Sequence, residues 1–151
     1  MATSFDPYSD PTLTIDFPGL ASTDHAITSP VDAKYNCIAW AAGDDSRWWE
    51  PDPMGICYWP PSAARQYTLD AYQQAFESRG YRKPDDEASE QGLDKVAIYA
   101  KGTEPKHACR QIDTSMWTSK LGRGVDMRHE LHALAGDIYG TVARLLIRES
   151  S

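Results

Sequence analysis

The sequence predicts an α+β fold in which a short cysteine-bearing helix packs on an antiparallel sheet of about four or five strands. Small apolar residues fill positions 37–42 between an asparagine and a glycine, as in a short buried helix with its caps. Downstream of position 95, short apolar runs alternate with turn residues, which is typical of a strand meander. At 151 residues, the chain is long enough for one domain with its own core.

The N-terminal residues 1–34 are rich in Pro, Asp, Ser and Thr and show no helical period, and FPGL at 17–20 predicts a turn. We expect an extended arm that packs on a single domain formed by residues 35–151. The opening residues MATSFDPYSD have neither a basic segment nor an apolar core of a signal peptide. This predicts residence in the cytoplasm or export by a non-classical route.

Two helices and one irregular loop are predicted in the first half of the domain. Asn36 is the predicted N-cap of the helix over 37–42, and Gly43 is its predicted end. A second helix follows the cap Thr68, because apolar residues recur there with helical spacing. Between these helices, residues 44–62 contain four prolines and three tryptophans, which predicts a stiff aromatic loop.

The second half is predicted to supply most of the sheet. VAIYA (96–100), KHACRQI (106–112) and MWTSKLG (116–122) are short runs bounded by turn residues and predict an antiparallel meander. A helix is predicted over 126–134. The segment TVARLLIRE (141–149) is ambiguous between helix and strand, and its β-branched residues favour a closing strand.

The charge balance limits the classes of partner. A net charge of -7 and a pI near 5.0 argue against nucleic acid, whose binding depends on clustered Lys and Arg. No basic run is present to anchor the chain on an anionic membrane, and no apolar run is long enough to cross one. We therefore expect neither a nucleic-acid nor a membrane partner, and the oligomeric state is left open by the sequence.

The three cysteines predict neither a disulfide framework nor a metal site. An odd number of cysteines without CxxC spacing does not resemble a zinc or redox motif. A zinc site would need a scattered set without local spacing, namely Cys37, Cys57, Cys109 and His107. We expect no metal and no cofactor.

Cys37 is the candidate nucleophile. A thiol in the first turn of a helix feels the positive end of the helix dipole, which favours the thiolate. A thiol nucleophile also needs a base within hydrogen-bond reach. His25 falls in the arm, and His129 and His132 fall on a helix predicted to be exposed. His107 stands near the start of a predicted strand and is the candidate base.

Other residues are candidates for stabilising the oxyanion, and Cys37 itself has a non-catalytic alternative. The backbone N–H of Cys37 is the natural donor to an oxyanion, with Asn36 or Tyr35 as a side-chain helper. Free cysteines are also among the most buried residues, so inert packing of Cys37 is the alternative to catalysis.

The words YNCIAWAAG, VAIYA, KHACRQ and WTSKLG resemble those of a small, uncharacterised bacterial family of single-domain proteins, from about FPGL to the last strand. A wider resemblance, in the order of a helix-borne Cys followed by a sheet-borne His, is to papain-like cysteine hydrolases. It implies a papain-like arrangement with Cys37 as nucleophile and His107 as base. Lys95 stands where cell-wall hydrolases usually carry their histidine, so the base would come from the following strand, as in papain.

The third catalytic residue depends on the strand register. One register, with a turn over 113–115, puts Ser119 on the same face as His107, whereas a slip by one residue puts Thr118 and Lys120 there. We favour Ser119. The remaining candidates are Thr118 and Asp113.

These residues predict a thiol-dependent amide hydrolase or acyl transferase, of cysteine peptidase or deamidase type, acting on a peptide or protein. The aromatic loop would shape the substrate groove. A non-enzymatic module that binds a peptide or protein is the alternative, and a toxin-type effector with the same chemistry is a third. The substrate-binding candidates are Asn36, Trp48, Trp49, Trp59 and Trp117.

Overall fold

The structure is a computed structural model that describes residues 8–84, 92–121 and 124–150. The first seven residues of the predicted arm lie outside the described residues, and so does Gly122 at the end of a predicted strand. None of the helices in the described ranges is long and apolar enough to cross a membrane.

The described part of the chain forms a six-stranded antiparallel sheet with short helices, in the strand order β1-β5-β4-β3-β2-β6. The elements are α1 (Leu13–Asp16), a 3-10 turn (Pro18–Ser22), β1 (His25–Ser29), α2 (Cys37–Ala41), α3 (Leu69–Glu77), β2 (Leu93–Lys101), β3 (Glu104–Gln111), β4 (Met116–Lys120), β5 (Asp126–Glu130), a second 3-10 turn (Leu131–Leu134) and β6 (Thr141–Glu149).

Each face of the sheet has its own hydrophobic cluster, because successive side chains on a strand point to opposite faces. The helix-side cluster contains Val96, Ile98 and Ala108 of the sheet together with residues of α2 and α3. The turn-side cluster joins the other face to α1 and the two 3-10 turns. Its members are Leu13, Phe17, Leu20, Ala97, Tyr99, Cys109, Trp117, Met127, Ala133 and Leu134.

The predicted helix caps are confirmed. The side chain of Asn36 accepts a hydrogen bond from the N–H of Ala39 in α2, and the side chain of Thr68 accepts one from the N–H of Ala71 in α3. Gly43 follows α2 with a φ of +87°, a left-handed conformation that glycine adopts without steric cost.

The four predicted strands of the second half are also confirmed, including the closing strand β6. Arg110 pairs with Thr118, and the N–H of Ile112 donates to the carbonyl of Met116. This is the register with a turn over 113–115.

The predicted papain-like α+β arrangement is wrong. The fold is mostly sheet, with six strands in the described residues rather than four or five, and the cysteine-bearing helix α2 has only five residues. Gly43 ends α2, and the prolines of the loop after it prevent a longer helix. The arm supplies an edge strand, β1, so the sheet extends beyond the predicted meander.

The helix predicted over 126–134 is wrong as well. Residues 126–130 form β5 between β1 and β4, and only residues 131–134 turn, as a 3-10 helix. In this strand, Met127 and His129 point to one face and Asp126 to the other, and all three are buried. The alternation in this segment is carried by polar residues, which is why a hydrophobic pattern did not identify it.

Candidate active site

Three neighbouring strands bring two histidines and a serine into one buried chain of hydrogen bonds. Nε2 of His107 on β3 lies 2.9 Å from Oγ of Ser119 on β4. The same Oγ lies 2.6 Å from Nε2 of His129 on β5. Nδ1 of His129 lies 2.7 Å from the backbone carbonyl oxygen of Glu130. All three side chains are fully buried.

The register explains why these side chains meet. Tyr99 pairs with His107, and Ser119 pairs with Met127, so all four side chains belong to the turn-side face. Because His107 and Ser119 share this face on neighbouring strands, their polar atoms are within hydrogen-bond reach. The favoured register therefore places Ser119, rather than Thr118, beside His107.

The other ring nitrogen of His107 is unusual. Nδ1 is buried and has no hydrogen-bond partner among the described residues. The Tyr139 ring stacks on the imidazole, with the centroids 4.0 Å apart and the planes 3° from parallel. Burial, followed by the charge of His129, lowers the pKa of His107 well below its usual 6.5. His107 is therefore neutral near pH 7, with one nitrogen uncommitted.

Cys37 lies at the start of α2, half-buried, and packs against the helix-side cluster. Burial raises the pKa of its thiol to about 11. The backbone N–H groups of Ala108, Ile38 and Cys37 itself oppose this shift, as does the charge of Lys120. The expected lowering of the thiol pKa is thus reversed, because desolvation outweighs the donors around a helix of five residues.

Cys37 and His107 are close in the fold but are not hydrogen-bonded to each other. The N–H of Ala108, the residue that directly follows His107, is near enough to the thiol to lower its pKa. The two side chains pack on different faces of β3, Cys37 against the helix-side cluster and His107 beside Tyr99 and Tyr139. The structure thus brings His107 to Ser119, and brings Cys37 to the backbone beside His107.

Asn36 is committed to holding the loop after α2. Its side-chain oxygen also accepts the N–H of Trp49, and its amide donates to the Trp49 carbonyl at 2.7 Å. Together with its role as N-cap, these contacts occupy both ends of the buried amide. Asn36 therefore fixes the position of Cys37 relative to the aromatic loop.

The four tryptophans named as candidates do not form one groove. Trp49 and Trp59 are buried in the helix-side cluster, where their indole N–H groups donate to Asp44 and to the Ala64 carbonyl. Trp117 is buried in the turn-side cluster, on the other face of the sheet. Trp48 is half-buried and donates to Glu50. The rings are separated by the sheet or committed to packing.

A buried ionic cluster lies next to Cys37 on the helix side. Lys120 is fully buried, with its Nζ 5.1 Å from the centre of the Tyr35 ring. The Tyr35 hydroxyl donates to Asp126 at 2.6 Å. Burial lowers the pKa of Lys120 and raises that of Asp126, while each charge opposes the shift of the other.

The part of the chain that the structure describes contains no group of three or more His, Cys, Asp or Glu residues arranged to hold a metal ion. Cys37, Cys57 and Cys109 are free thiols.

Comparison with known protein families agrees with the extent of this fold. The model of a domain of unknown function, DUF7689, matches residues 26–147. The chain belongs to this family. The match runs from β1 into β6 and confirms the expected uncharacterised single-domain family, whereas no resemblance to papain-like hydrolases is found. No curated protein and no solved structure matches the chain at a significant level.

Two residues around His107 are not among the predicted site residues. The sequence predicts His129 on an exposed helix, yet it is buried in β5 and hydrogen-bonded to Ser119. Tyr139 was not singled out, although its ring covers the His107 imidazole. In DMRHE (126–130), Met127 and His129 alternate with charged residues, and this alternation was the available signal for a strand that buries His129.

Proposed function

We propose that the protein is a thiol-dependent amide hydrolase or acyl transferase with Cys37 as nucleophile and His107 as general base. The observation that carries this proposal is the buried Nδ1 of His107, which has no partner among the described residues. The next residue, Ala108, has a backbone N–H near enough to the Cys37 thiol to lower its pKa. A buried nitrogen without a partner costs free energy, so its presence needs a reason. Accepting a proton during catalysis is such a reason.

The reaction would proceed in two steps. The Cys37 sulfur forms a bond to the amide carbonyl carbon while His107 takes the thiol proton at Nδ1. The C–N bond then breaks as the imidazolium returns this proton to the leaving nitrogen, and a thioester remains. Water attacks the thioester with His107 again as base and releases the acid, or an amine attacks instead and completes acyl transfer.

The raised thiol pKa determines which form of this mechanism applies. With a pKa of about 11, the thiol is protonated at rest, and neutral His107 is ready to accept its proton. Proton removal therefore accompanies attack instead of preceding it. Cys37 approaches β3 from the helix side and the His107 ring lies on the turn side, so the proposal requires the thiol and Nδ1 to come together beside Ala108 when substrate binds. Catalytic hydrogen bonds in enzymes without substrate are often long and tighten on binding.

Two groups support the reacting pair. Ser119 fixes the His107 ring through Nε2, which leaves Nδ1 as the only nitrogen available for proton transfer. The backbone N–H of Cys37 is the donor for the oxyanion that develops on the carbonyl oxygen. We infer a peptide or protein amide as the substrate class and a reducing compartment, the cytoplasm, where free thiols persist.

The test is acylation by an activated ester. The protein is incubated with p-nitrophenyl acetate, and the acetyl group is located by peptide mass mapping. We expect acetylation of Cys37, a slower release of the acetyl group to water, and a rate reduced by about 10²-fold or more in His107→Ala.

Cys57→Ser is the matched control, because Cys57 is also a half-buried free thiol but lies outside the site. This variant should acylate like the wild type. Equal acetylation of Cys37 and Cys57 in the wild type, or an unchanged rate in folded His107→Ala, would contradict the proposal.

A further inference from the structure

The hydrogen bonds of the buried chain have a direction that can be derived atom by atom. The backbone carbonyl oxygen of Glu130 lies 2.7 Å from Nδ1 of His129. A carbonyl oxygen can only accept, so Nδ1 of His129 must carry the proton. A neutral imidazole has one protonated nitrogen, and Nε2 of His129 is therefore an acceptor.

The same reasoning fixes which atom donates in the two hydrogen bonds of Ser119. Oγ of Ser119 lies 2.6 Å from the acceptor Nε2 of His129, so the single hydroxyl proton of Ser119 must be donated there. The Ser119 oxygen can then only accept from its other neighbour, Nε2 of His107, at 2.9 Å. Nε2 of His107 must therefore carry a proton, and Nδ1 of the neutral ring is bare.

We propose that His129 is a positioning residue that acts through Ser119 to hold His107 in the tautomer with a bare Nδ1. This inference rests on the proposed function, since Nδ1 is the atom that takes the thiol proton there. His129 does not contact the reacting atoms. It determines which nitrogen of His107 is basic.

The reverse direction requires a charged group in the core. If Ser119 donated to His107, its oxygen would have to accept from a protonated Nε2 of His129, and His129 would be a cation. His129 is fully buried, and burial lowers its pKa to about 4. The reversed chain is therefore disfavoured near pH 7 and becomes accessible only when acid protonates His129.

Other titratable groups lie around the hydrogen-bonded residues His107, Ser119 and His129. His25 pairs with His129 in the strand register, and its charge disfavours protonation of His129. Tyr99 and Tyr139 contact the His107 ring. Cys109 is hydrogen-bonded to Tyr99 and also interacts with Ser119, but a buried thiol is a weaker acceptor of the Ser119 proton than Nε2 of His129. Cys37 and Asp16 both act on Tyr139.

The experiment is nitrogen NMR of the full ¹⁵N-labelled chain at pH 7, which distinguishes protonated from bare imidazole nitrogens. In the wild type we expect a bare Nδ1 on His107 and a bare Nε2 on His129. Either histidine in the opposite tautomer would overturn the proposal, and this result does not depend on any variant folding.

Variants test whether His129 is the cause. In His129→Leu the acceptor is lost, and the excess of the bare-Nδ1 tautomer of His107 should fall by about tenfold, the scale of one hydrogen bond. In His129→Gln the side-chain oxygen accepts from Ser119, and the tautomer should be restored. His25→Gln, the same change on the neighbouring strand, should leave the tautomer unchanged. A folded His129→Leu protein with an unchanged His107 tautomer would refute the proposal.

The proposal and the proposed function can fail separately. The tautomer is measured without substrate, whereas acetylation of Cys37 measures the reaction. Cys37 acetylation that falls in His129→Leu and returns in His129→Gln supports the positioning role. A tautomer that behaves as expected in a protein that never acetylates Cys37 refutes the function alone.

Discussion

The hydroxyl of Ser119 lies 2.9 Å from Nε2 of His107, and both groups are fully buried between neighbouring strands. The contact commits one nitrogen of His107 and leaves the other free. The proposed proton transfer from Cys37 depends on this contact, and so does the stability of the sheet around it.

Removal of the Ser119 hydroxyl should destabilise the fold. Ser119→Ala leaves Nε2 of both His107 and His129 buried without a partner, which costs about 1–3 kcal/mol for each unsatisfied group. We expect a lower free energy of unfolding in urea. Ser62→Ala, at an exposed serine, should stay within about 0.5 kcal/mol of the wild type. Equal stabilities of the two variants would contradict the buried contact.

Acid should destabilise the protein well above the range in which carboxylates titrate. His129 has a pKa lowered from 6.5 to about 4, and that of His107 is also lowered. Between pH 6.5 and about pH 4, His129 binds a proton in the unfolded chain but not in the folded protein, so the free energy of unfolding falls as the pH falls. His129 alone should cost about 2 kcal/mol between pH 7 and pH 5.

Urea unfolding at pH 7, 6 and 5 measures this loss. His129→Leu removes one of the two buried imidazoles and should show a smaller pH dependence than the wild type. His132→Gln, at an exposed histidine in the neighbouring 3-10 turn, should show the full dependence. A wild-type stability that does not change between pH 7 and pH 5 would exclude buried neutral imidazoles.

The Cys37 thiol should behave as a weak acid toward a simple alkylating reagent. Iodoacetamide is displaced by the free thiolate and offers no carbonyl for the base-assisted attack proposed above. Because burial raises the thiol pKa to about 11, the rate of labelling should rise about tenfold for each pH unit between 7 and 10. Peptide mass mapping over this range shows whether the labelling rate keeps rising or levels off. A rate that levels off near the ordinary thiol value of about 8.5 would contradict the raised pKa, and one that levels off well below that value would show that Cys37 is a preformed thiolate.

The turn after Tyr139 should tolerate only glycine. Gly140 has a φ of +75°, and a Cβ there would lie 2.0 Å from the carbonyl oxygen of Ala100. Gly140→Ala must therefore move backbone and displace Tyr139 from His107. Gly55 has a similar φ of +71° with open space around it, so Gly55→Ala carries the conformational cost without the clash. We expect Gly140→Ala to lower the melting temperature far more than Gly55→Ala, and equal shifts would contradict the close approach.

Local signals in the sequence predicted the local structure well. The caps Asn36 and Thr68 and the apolar runs of β2, β3 and β4 each depend on neighbouring residues, so a single sequence contains the information. β5 was missed because its buried residues include Asp126 and His129, whose burial depends on partners from distant strands.

The site was predictable in part for the same reason. The register of β3 and β4 follows from the length of their turn, so the contact of His107 with Ser119 could be proposed from the sequence. The position of Cys37 relative to the His107 ring depends on how α2 packs on the sheet. The direction of the thiol pKa shift depends on burial, which outweighed the helix position that the sequence displays.

The most direct test of the central claim is the pH dependence of Cys37 acetylation by p-nitrophenyl acetate in the wild-type protein. If His107 takes the thiol proton during attack, the rate should be constant between pH 7 and pH 9, where His107 is neutral and the thiol is protonated. A rate that instead rises tenfold with each pH unit would mean that the free thiolate alone reacts, and His107 would not be its base.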